Sequence, residues 1–593
     1  MFSGCQRAGR GRMGKQGALE RRWRLPEGPG APADYLPEES YMARAILWRR
    51  GHRDSEAARA FLHPLQFRLP NPNAYPPLVA AIDRIARAIE HHELVYVWGD
   101  YDADGQTSTA LLVGALRTLG ANVSYHLPRR LHDARGLDTL VLERLATEGC
   151  RLVVTCDCGT SDTEAVRRAR ELGIDVVITD HHQQMGPLPD AAALCNSSHL
   201  SPSDPLWGLP GVAVAYVLAR GLFQRLGRAT EEHRHLDLVA LGIVADVAPL
   251  TPTNRALLVR GLGQIWRDPR PGIQALLELS GPPVWELDSE PISFRLAPAL
   301  NSAGRLADAR LGVELLLADD PERARMLATE LWALNTERKK LAAELEHEVR
   351  ACLAAQAADA PAVVLSGIGW HPGLIGVAAS HLLHELGRTV VVISRDAAGG
   401  PARGSIRSAE GIDILEVLAE QTDLLGHWGG HQHAAGLTLP DHGIACFRER
   451  FIEAVGRRGA APGPVLNIDA VTPWRDVVAR GVGEGSLYQT LIRLAPYSEG
   501  NRPPIVACLG LRAAALRLVG AGERHTKLVL TDESQVCHEV LWWNSDPAWR
   551  PEGLVDAAFT LSSNEWQGSA RLRLTLEGIR PHVRRQEEHE SST

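Results

Sequence analysis

Four short clusters of acids and histidines carry the chemistry of this chain: Asp100, Asp102 and Asp104 in Gly99-Asp100-Tyr101-Asp102-Ala103-Asp104-Gly105, then Asp157, then His181 and His182 after Asp180, then Asp246. Each follows an apolar run that reads as a buried strand: Leu94 to Trp98, Leu152 to Thr155, Val176 to Thr179 and Leu238 to Ala245. Several carboxylates on one rim repel one another and are costly to bury unpaired, so they call for a positive partner. Oxygen donors with one or two imidazoles suit Mg2+ or Mn2+ better than Zn2+, and the histidine cluster favours Mn2+. Two such ions about 3.5 to 4 Å apart can activate a water and neutralise charge building on a phosphoryl group, so phosphoester hydrolysis is the chemistry expected. Singly, each cluster has a plainer reading: Asp-x-Asp-Gly after a strand is commonly a turn or cap, a histidine pair belongs to surface or core, and Asp246 caps a helix or pairs with a cation. Recurrence of four clusters in order favours the metal site.

The elements between the clusters must return the chain repeatedly to one edge. Thr107 to Leu119, Leu137 to Thr147 and Thr163 to Leu172 have helical period, which with the apolar runs predicts βαβ units and a parallel, doubly wound sheet. Such sheets bind ligands beyond the carboxyl ends of their strands, where Asp100, Asp102, Asp104, Asp157 and His181 fall. Clusters about 50, 25 and 65 residues apart can therefore converge. Cys156 and Cys158 flank Asp157 but point the opposite way on a strand end, which predicts packing.

The segment around Asp102, Asp157, Asp180-His181-His182 and Ala245-Asp246 resembles the four motifs of the DHH phosphoesterase superfamily. Further on, Asn301-Ser302-Ala303-Gly304-Arg305 resembles a segment of its single-strand exonuclease branch. Trp370-His371-Pro372-Gly373-Leu374-Ile375-Gly376, Gly404-Ser405-Ile406-Arg407-Ser408 and Gly429-Gly430-His431-Gln432-His433-Ala434-Ala435-Gly436 resemble the DHHA1 domain that accompanies DHH domains. The likeness runs from roughly residue 40 to residue 580. These residues also make sense unaided, since glycines let a ligand approach the backbone, Ser405 and Ser408 offer hydroxyls, and Arg407 offers a planar fork for phosphate.

The resemblance implies a single-stranded-DNA-specific 5′-to-3′ exonuclease of DNA repair and recombination that releases mononucleotides by two-metal hydrolysis. Asp102, Asp104, Asp157, His181 and Asp246 would hold two Mn2+ or Mg2+ ions, with Asp157 as bridge and Asp100 as an outer ligand. His182 would serve the leaving side and His431 would sit near the scissile phosphate. Arg130, Arg305, Ser405 and Arg407 would hold the 5′ phosphate, with Trp370 and His371 also on the substrate. Two departures stand out. Ile406 occupies a position where the family has glycine, and a β-branched residue disfavours φ > 0, so a locally different phosphate loop is expected. Ala134-Arg135-Gly136-Leu137 replaces Gly-Tyr-Gly-Leu, removing a stacking or hydroxyl contact. The rivals are a phosphodiesterase of short oligonucleotides or cyclic dinucleotides, which needs no extended strand platform, and a non-catalytic scaffold, for which loss of ligands is expected.

At 593 residues the chain needs several cores. The expected fold is two α/β lobes joined by a long helix, plus a carboxy-terminal OB-like β-barrel. Residues 1–75 read as an irregular amino-terminal lobe, 76–317 as the DHH domain, 318–358 as the connecting helix, 359–460 as DHHA1, 465–582 as the OB-like domain and 583–593 as a polar tail. In the barrel, Trp542, Trp543, Trp566 and Lys527 could stack on and contact a single strand, with half of those tryptophans expected in the core. Nine scattered cysteines argue against a disulfide scaffold or zinc finger. No apolar stretch reaches about 18 residues and no signal peptide is evident, so a cytoplasmic protein is expected, with Met13 as an alternative start. The net charge of −8 can mask a local basic groove. Lys15, Lys339, Lys340 and Lys527 are the only lysines and none sits in a Walker A loop, so an ATP-driven motor is not expected. The expected partners are single-stranded DNA, a helicase and a single-strand-binding protein, with no membrane; a monomer is expected.

Overall fold

The computed structural model describes residues 22–582 apart from 28–29, 131–132, 134–135, 185, 282–284, 286, 355–359, 460–464, 521–522, 524, 546–547 and 567–568. Five strands, β1 (Leu94–Trp98), β2 (Asn122–His126), β3 (Cys150–Cys156), β4 (Asp175–Asp180) and β5 (Ala193–Asn196), form a wholly parallel sheet in the order β2-β1-β3-β4-β5. Both faces are covered, which is why the strands read as near-continuous apolar runs. Val95, Val97, Leu152, Val154 and Val177 face one core, and Trp98, Val153, Val176 and Ile178 face another. Strand order reverses between β1 and β3, so their carboxyl ends open a crevice at the switch point.

Helix α1 (Ala103–Thr118) starts four residues before the predicted stretch because Asp102 caps it, its Oδ1 accepting the amides of Asp104 and Gly105 at 3.1 Å. Helices α2 (Gly211–Arg225) and α3 (Leu236–Ala245) complete the wall of the crevice. The run Leu238 to Ala245, expected as a strand, is thus helical. It packs between α1, α2 and the helix Pro252–Arg267 and is buried on nearly every side, so it carries no amphipathic period that would distinguish helix from strand.

Helix α4 (Ala297–Leu306) precedes α5 (Pro321–Leu353), whose 33 residues are capped by the Asp320 carboxylate and span about 50 Å. Beyond it lies a second sheet of β6 (Ala362–Ile368), β7 (Thr389–Arg395), β8 (Ala402–Arg407), β9 (His427–His431) and β10 (Ala434–Leu439), in the order β9-β10-β8-β7-β6. The carboxy-terminal strands β11 (Val506–Val519), β12 (His525–Thr531), β13 (His538–Trp542), β14 (Leu554–Trp566) and β15 (Ser569–Pro581) run β11-β12-β13-β15-β14, and β14 pairs back onto β11. The ring of pairings therefore closes, as an OB-like barrel requires. Trp542 lies in its core at 2 % exposure, unavailable for stacking. Trp543 is half-buried with its ring edge-on to His525, and Lys527 Nζ donates to Glu539 Oε2 at 2.8 Å. The side chain of Trp566 lies outside the described residues.

The amino-terminal region is less irregular than its composition suggests. Helices Tyr41–Arg49 and Ser55–Leu62 lay Ile46, Leu47 and Ala58 into the same apolar core as Leu528, Val540 and Phe559 of the barrel. A buried arginine fastens this junction to the first lobe. Arg255, 1 % exposed, donates to the carbonyls of Phe61 (2.8 Å), Leu494 (3.1 Å), Ala495 (2.5 Å) and Pro496 (3.2 Å), with its guanidinium 3.8 Å from the Phe61 ring centroid. Burial pushes its pKa down to about 9. Arg255→Met keeps the volume but orphans these carbonyls, and should cost about 3 kcal/mol, read as a lowered denaturation midpoint.

Candidate active site

Three strand ends and one helix end supply the ligand atoms. Asp100, 1 % exposed after β1, accepts the Tyr101 amide at 2.7 Å through Oδ1. Asp104, in the first turn of α1, accepts Gly211 N at 2.7 Å and Val212 N at 3.0 Å, so the positive end of α2 aims at it. Asp157 follows β3 at φ 64°, a left-handed conformation rare for a residue with a side chain and typical of functional sites. Its Oδ1 is buried without a hydrogen-bond partner and lies 3.0 Å from His181 Nε2. His181 follows β4, and Asp246 lies at the end of α3, its Oδ2 3.8 Å from His181 Nδ1. The first lobe therefore brings together all four clusters.

The donors form three overlapping groups, each with its ligand atoms within 4.8 Å: Asp157, His181 and His182; Asp104, His181 and Asp246; and Asp100, Asp102 and Asp157. Burial first, and neighbouring carboxylates second, hold the Asp104 and Asp157 carboxyls well above the usual carboxylate range. A carboxylate set that cannot all ionise together, with an orphaned buried oxygen at its centre, fits a pair of divalent cations. The all-oxygen and imidazole donor set fits Mn2+ or Mg2+.

Two residues have roles that the sequence does not assign. Asp180 is in none of the three groups. Its Oδ1 accepts the amides of His181 (2.7 Å) and His182 (3.1 Å) and lies 2.8 Å from His182 Nδ1, while Oδ2 accepts Thr160 N at 3.0 Å. Burial opposes ionisation, but the hydrogen bond and charge of His182 outweigh it and hold the carboxyl below its usual range. It fixes the His182 ring rather than offering a ligand atom. Gly211 is the other: a Cβ there would stand 2.6 Å from Asp157 Cβ and 2.9 Å from Asp104 Oδ2. In the sequence, Pro210-Gly211 signals only a turn.

Across the crevice lies a cluster of cations. Arg130 follows β2, its guanidinium 5.0 Å over the Tyr101 ring. Arg305, near the end of α4, donates from Nη1 to Gly373 O at 2.6 Å. Arg407, at the end of β8, donates from Nε to Ser380 Oγ at 3.0 Å and from Nη1 to Ser405 Oγ at 3.1 Å. Burial, then Arg130, Arg338 and Arg407, push Arg305 down to about 9. Burial and then Arg130 likewise lower Arg407 and His371. Among the described residues none of these guanidiniums is ion-paired to a carboxylate, so the site has an unmet demand for an anion.

Three expectations are revised here. Gly404 to Arg407 lies within β8 and not in a loop, pairing with β7 and β10, so strand alternation buries Ile406 in the core while Ser405 and Arg407 face the pocket; no positive φ is needed and the isoleucine leaves the anion site intact. Trp370 is 5 % exposed, packed with Leu345 and Val349 of α5, and donates from Nε1 to Glu348 Oε2 at 2.7 Å, so it braces the loop that carries His371 instead of facing a ligand. Ser408 is buried and its hydroxyl donates inward to Ile412 O at 2.6 Å. Ala134 and Arg135, the other departure from the family pattern, lie outside the described residues. His431, from β9, stacks on His182 with ring centroids 5.7 Å apart and planes 16° from parallel, so the second lobe reaches the first at the ligand cluster.

Comparison with known proteins follows the same division. The DHH family, N-terminal domain, matches residues 94–243, the DHHA1 domain matches 359–457 and the RecJ OB domain matches 481–578. The single-stranded-DNA-specific exonuclease RecJ of Bacillus subtilis (strain 168) is 32 % identical over 567 residues, covering 94 % of this chain and 71 % of the relative. The crystal structure of RecJ in complex with Mn2+ from Thermus thermophilus superposes with a TM-score of 0.80 at 29 % identity, over 95 % of this chain and 80 % of that one. The Mg2+ complex from the same organism gives 0.74 at 28 % identity, over 95 % and 79 %. With its three matched segments in order, and with this identity along most of both chains, the chain belongs to the RecJ family.

Proposed function

We propose that this protein is a single-stranded-DNA-specific 5′-to-3′ exonuclease that hydrolyses phosphodiester bonds, releases mononucleotides and serves DNA repair and recombination. The observation that carries the reading is the stacking of His431 on His182, which sets the arginines and the carboxylate cluster around one crevice. Asp100, Asp102, Asp104, Asp157, His181 and Asp246 would hold two divalent ions, Mn2+ or Mg2+, with Asp157 shared because it is the carboxylate that belongs to two of the three ligand groups. Such ions supply an activated water and neutralise charge on the phosphoryl group. Asp180 keeps the His182 proton on Nδ1, leaving Nε2 to exchange a proton with the leaving oxygen. His431 covers the His182 ring from the other side of the crevice and lies near the scissile phosphate. Arg130, Arg305, Ser405, Arg407 and His371 bind the phosphate at the 5′ end of the strand.

In this reading residues 76–317 carry catalysis, 318–358 connect, 359–460 hold the strand's end and 465–582 hold the strand beyond it. A monomer acting in the cytoplasm beside a helicase and a single-strand-binding protein completes the proposal. No helix among the described residues is long and apolar enough to cross a membrane. Single-stranded DNA labelled at either end, given with Mn2+, should lose its 5′ label first, as mononucleotide, while duplex and dinucleotides persist. Earlier loss of the 3′ label, or cleavage confined to dinucleotides, would overturn the reading.

A further inference from the structure

The apolar stripe of α5 gives way to polar residues midway along the helix. Ala324, Leu327, Ala328 and Leu331 pack into the core of the first lobe, and Leu345 and Val349 pack into that of the second. Continuing the stripe at helical spacing from Leu331 gives Asn335 and then Arg338, which lie between the part of the helix packed into the first core and the part packed into the second, with Arg338 close enough for its charge to act on Arg305. Asn335 is 1 % exposed and its Oδ1 accepts Arg338 Nε at 3.1 Å, which fixes the guanidinium and leaves its two terminal nitrogens without an acceptor among the described residues. An arginine in that position without a carboxylate needs an anion from elsewhere. The same helix packs along α4, which carries Arg305.

We propose that Arg338 is a fourth cation of the 5′-end pocket and a determinant of the preference for a 5′-phosphorylated over a 5′-hydroxyl strand. The inference rests on the reading of Arg130, Arg305 and Arg407 as that pocket. Its chemistry is specific. A terminal phosphate is a dianion with three acceptor oxygens, whereas an internal phosphodiester carries one charge, so a fourth guanidinium serves the terminus more than the chain. Its source matters too. Arg130 and Arg305 come from the first lobe, Arg407 from the second, and Arg338 from the helix embedded in both. A phosphate bound by all four ties the lobes together through the rigid element that joins them. Burial lowers the Arg338 pKa, which agrees with a cation withdrawn from water to meet such a ligand.

The test compares full-length wild type with Arg338→Gln, Arg407→Gln and, as a charge control on the same helix, Lys340→Gln. Short single strands bearing a 5′ phosphate or a 5′ hydroxyl are bound in chelator, followed by fluorescence anisotropy, and degraded in Mn2+. Arg338→Gln should lower the ratio of 5′-phosphate to 5′-hydroxyl affinity about tenfold, with 5′-hydroxyl binding unchanged and Lys340→Gln like wild type. Loss of the preference in Arg407→Gln but not in Arg338→Gln would overturn the proposal and leave the pocket standing. Equal binding of both ends by the wild type would overturn the pocket itself. Equal weakening for both ends in Arg338→Gln would show a structural role and also overturn the proposal.

Discussion

Asp157→Asn should lower kcat/KM on single-stranded DNA by about 1000-fold or more, because the one carboxylate common to two of the three ligand groups loses a charge and half its ligand capacity. The same substitution should have the opposite effect on the metal-free fold. In wild type the Asp104 and Asp157 carboxyls are held above their ordinary range first by burial and then by the carboxylates around them. A carboxyl whose folded pKa exceeds its unfolded value binds protons more tightly when folded. Its contribution to stability is fully present below about pH 4 and is lost as pH rises through the raised pKa. Asp180, with its lowered pKa, contributes in the reverse sense: stability present above that range and lost in acid.

In chelator at neutral pH the wild type therefore carries an electrostatic cost at Asp104 and Asp157 that divalent ions remove. Asp157→Asn removes part of that cost covalently. Its denaturation midpoint in chelator should match or exceed that of wild type, and its gain on adding Mn2+ should shrink. A mutant that is less stable in chelator yet keeps the full Mn2+ gain would place Asp157 outside the metal site. The two signs together separate a ligand from a residue that merely supports the fold, which activity loss alone cannot do.

How far the site was legible depended on whether its signal was local. Asp100, Asp102, Asp104, Asp157 and His181 were legible because an acid or histidine directly after an apolar strand has few other uses, and a parallel sheet collects strand ends. The helix Leu236–Ala245 was not, since full burial erases the period that would mark it as helix. Asp246 is nevertheless delivered to the right place, because the end of a wall helix can reach the same crevice as a strand end. Ile406 was misjudged for a related reason: the glycine-rich surroundings suggested a loop, whereas the residue's core partners Val391 and Ala435 come from strands joined only in the fold. Trp542 and Trp543 are neighbours in sequence but differ in exposure, which is what strand alternation imposes and residue type alone cannot convey. Arg255, whose acceptors near residues 61 and 495 lie some two hundred positions away on either side, has no sequence signature. The same holds for the shared core of the amino-terminal helices and the barrel, set by contacts between distant segments.

Gly211→Ala is the strongest test of the site that involves no titratable group. Gly211 opens α2, and its φ is not among the left-handed values, so alanine suits the local backbone and would by helix propensity be preferred by about 1 kcal/mol. The obstacle is steric: the added methyl would stand 2.6 Å from Asp157 Cβ and 2.9 Å from both Asp157 Oδ1 and Asp104 Oδ2. None of these atoms ends a flexible side chain free to swing away. Asp157 is fixed by its left-handed backbone and by the hydrogen bond its amide donates to Thr179 O at 3.0 Å, and Asp104 accepts two amides from the very helix that carries the methyl. The carboxylates must therefore move by several tenths of an ångström, and the α2 amides that hold Asp104 move with them. Displacement of that size at the ligand atoms should lower kcat/KM about 100-fold and weaken Mn2+ binding, while the metal-free midpoint changes little because helix propensity offsets the strain. Activity within a few-fold of wild type would mean that Asp104 and Asp157 do not hold the metals in the arrangement described. A fall in metal-free stability as large as the fall in the Mn2+ gain would instead mean that the glycine serves only the packing of α2.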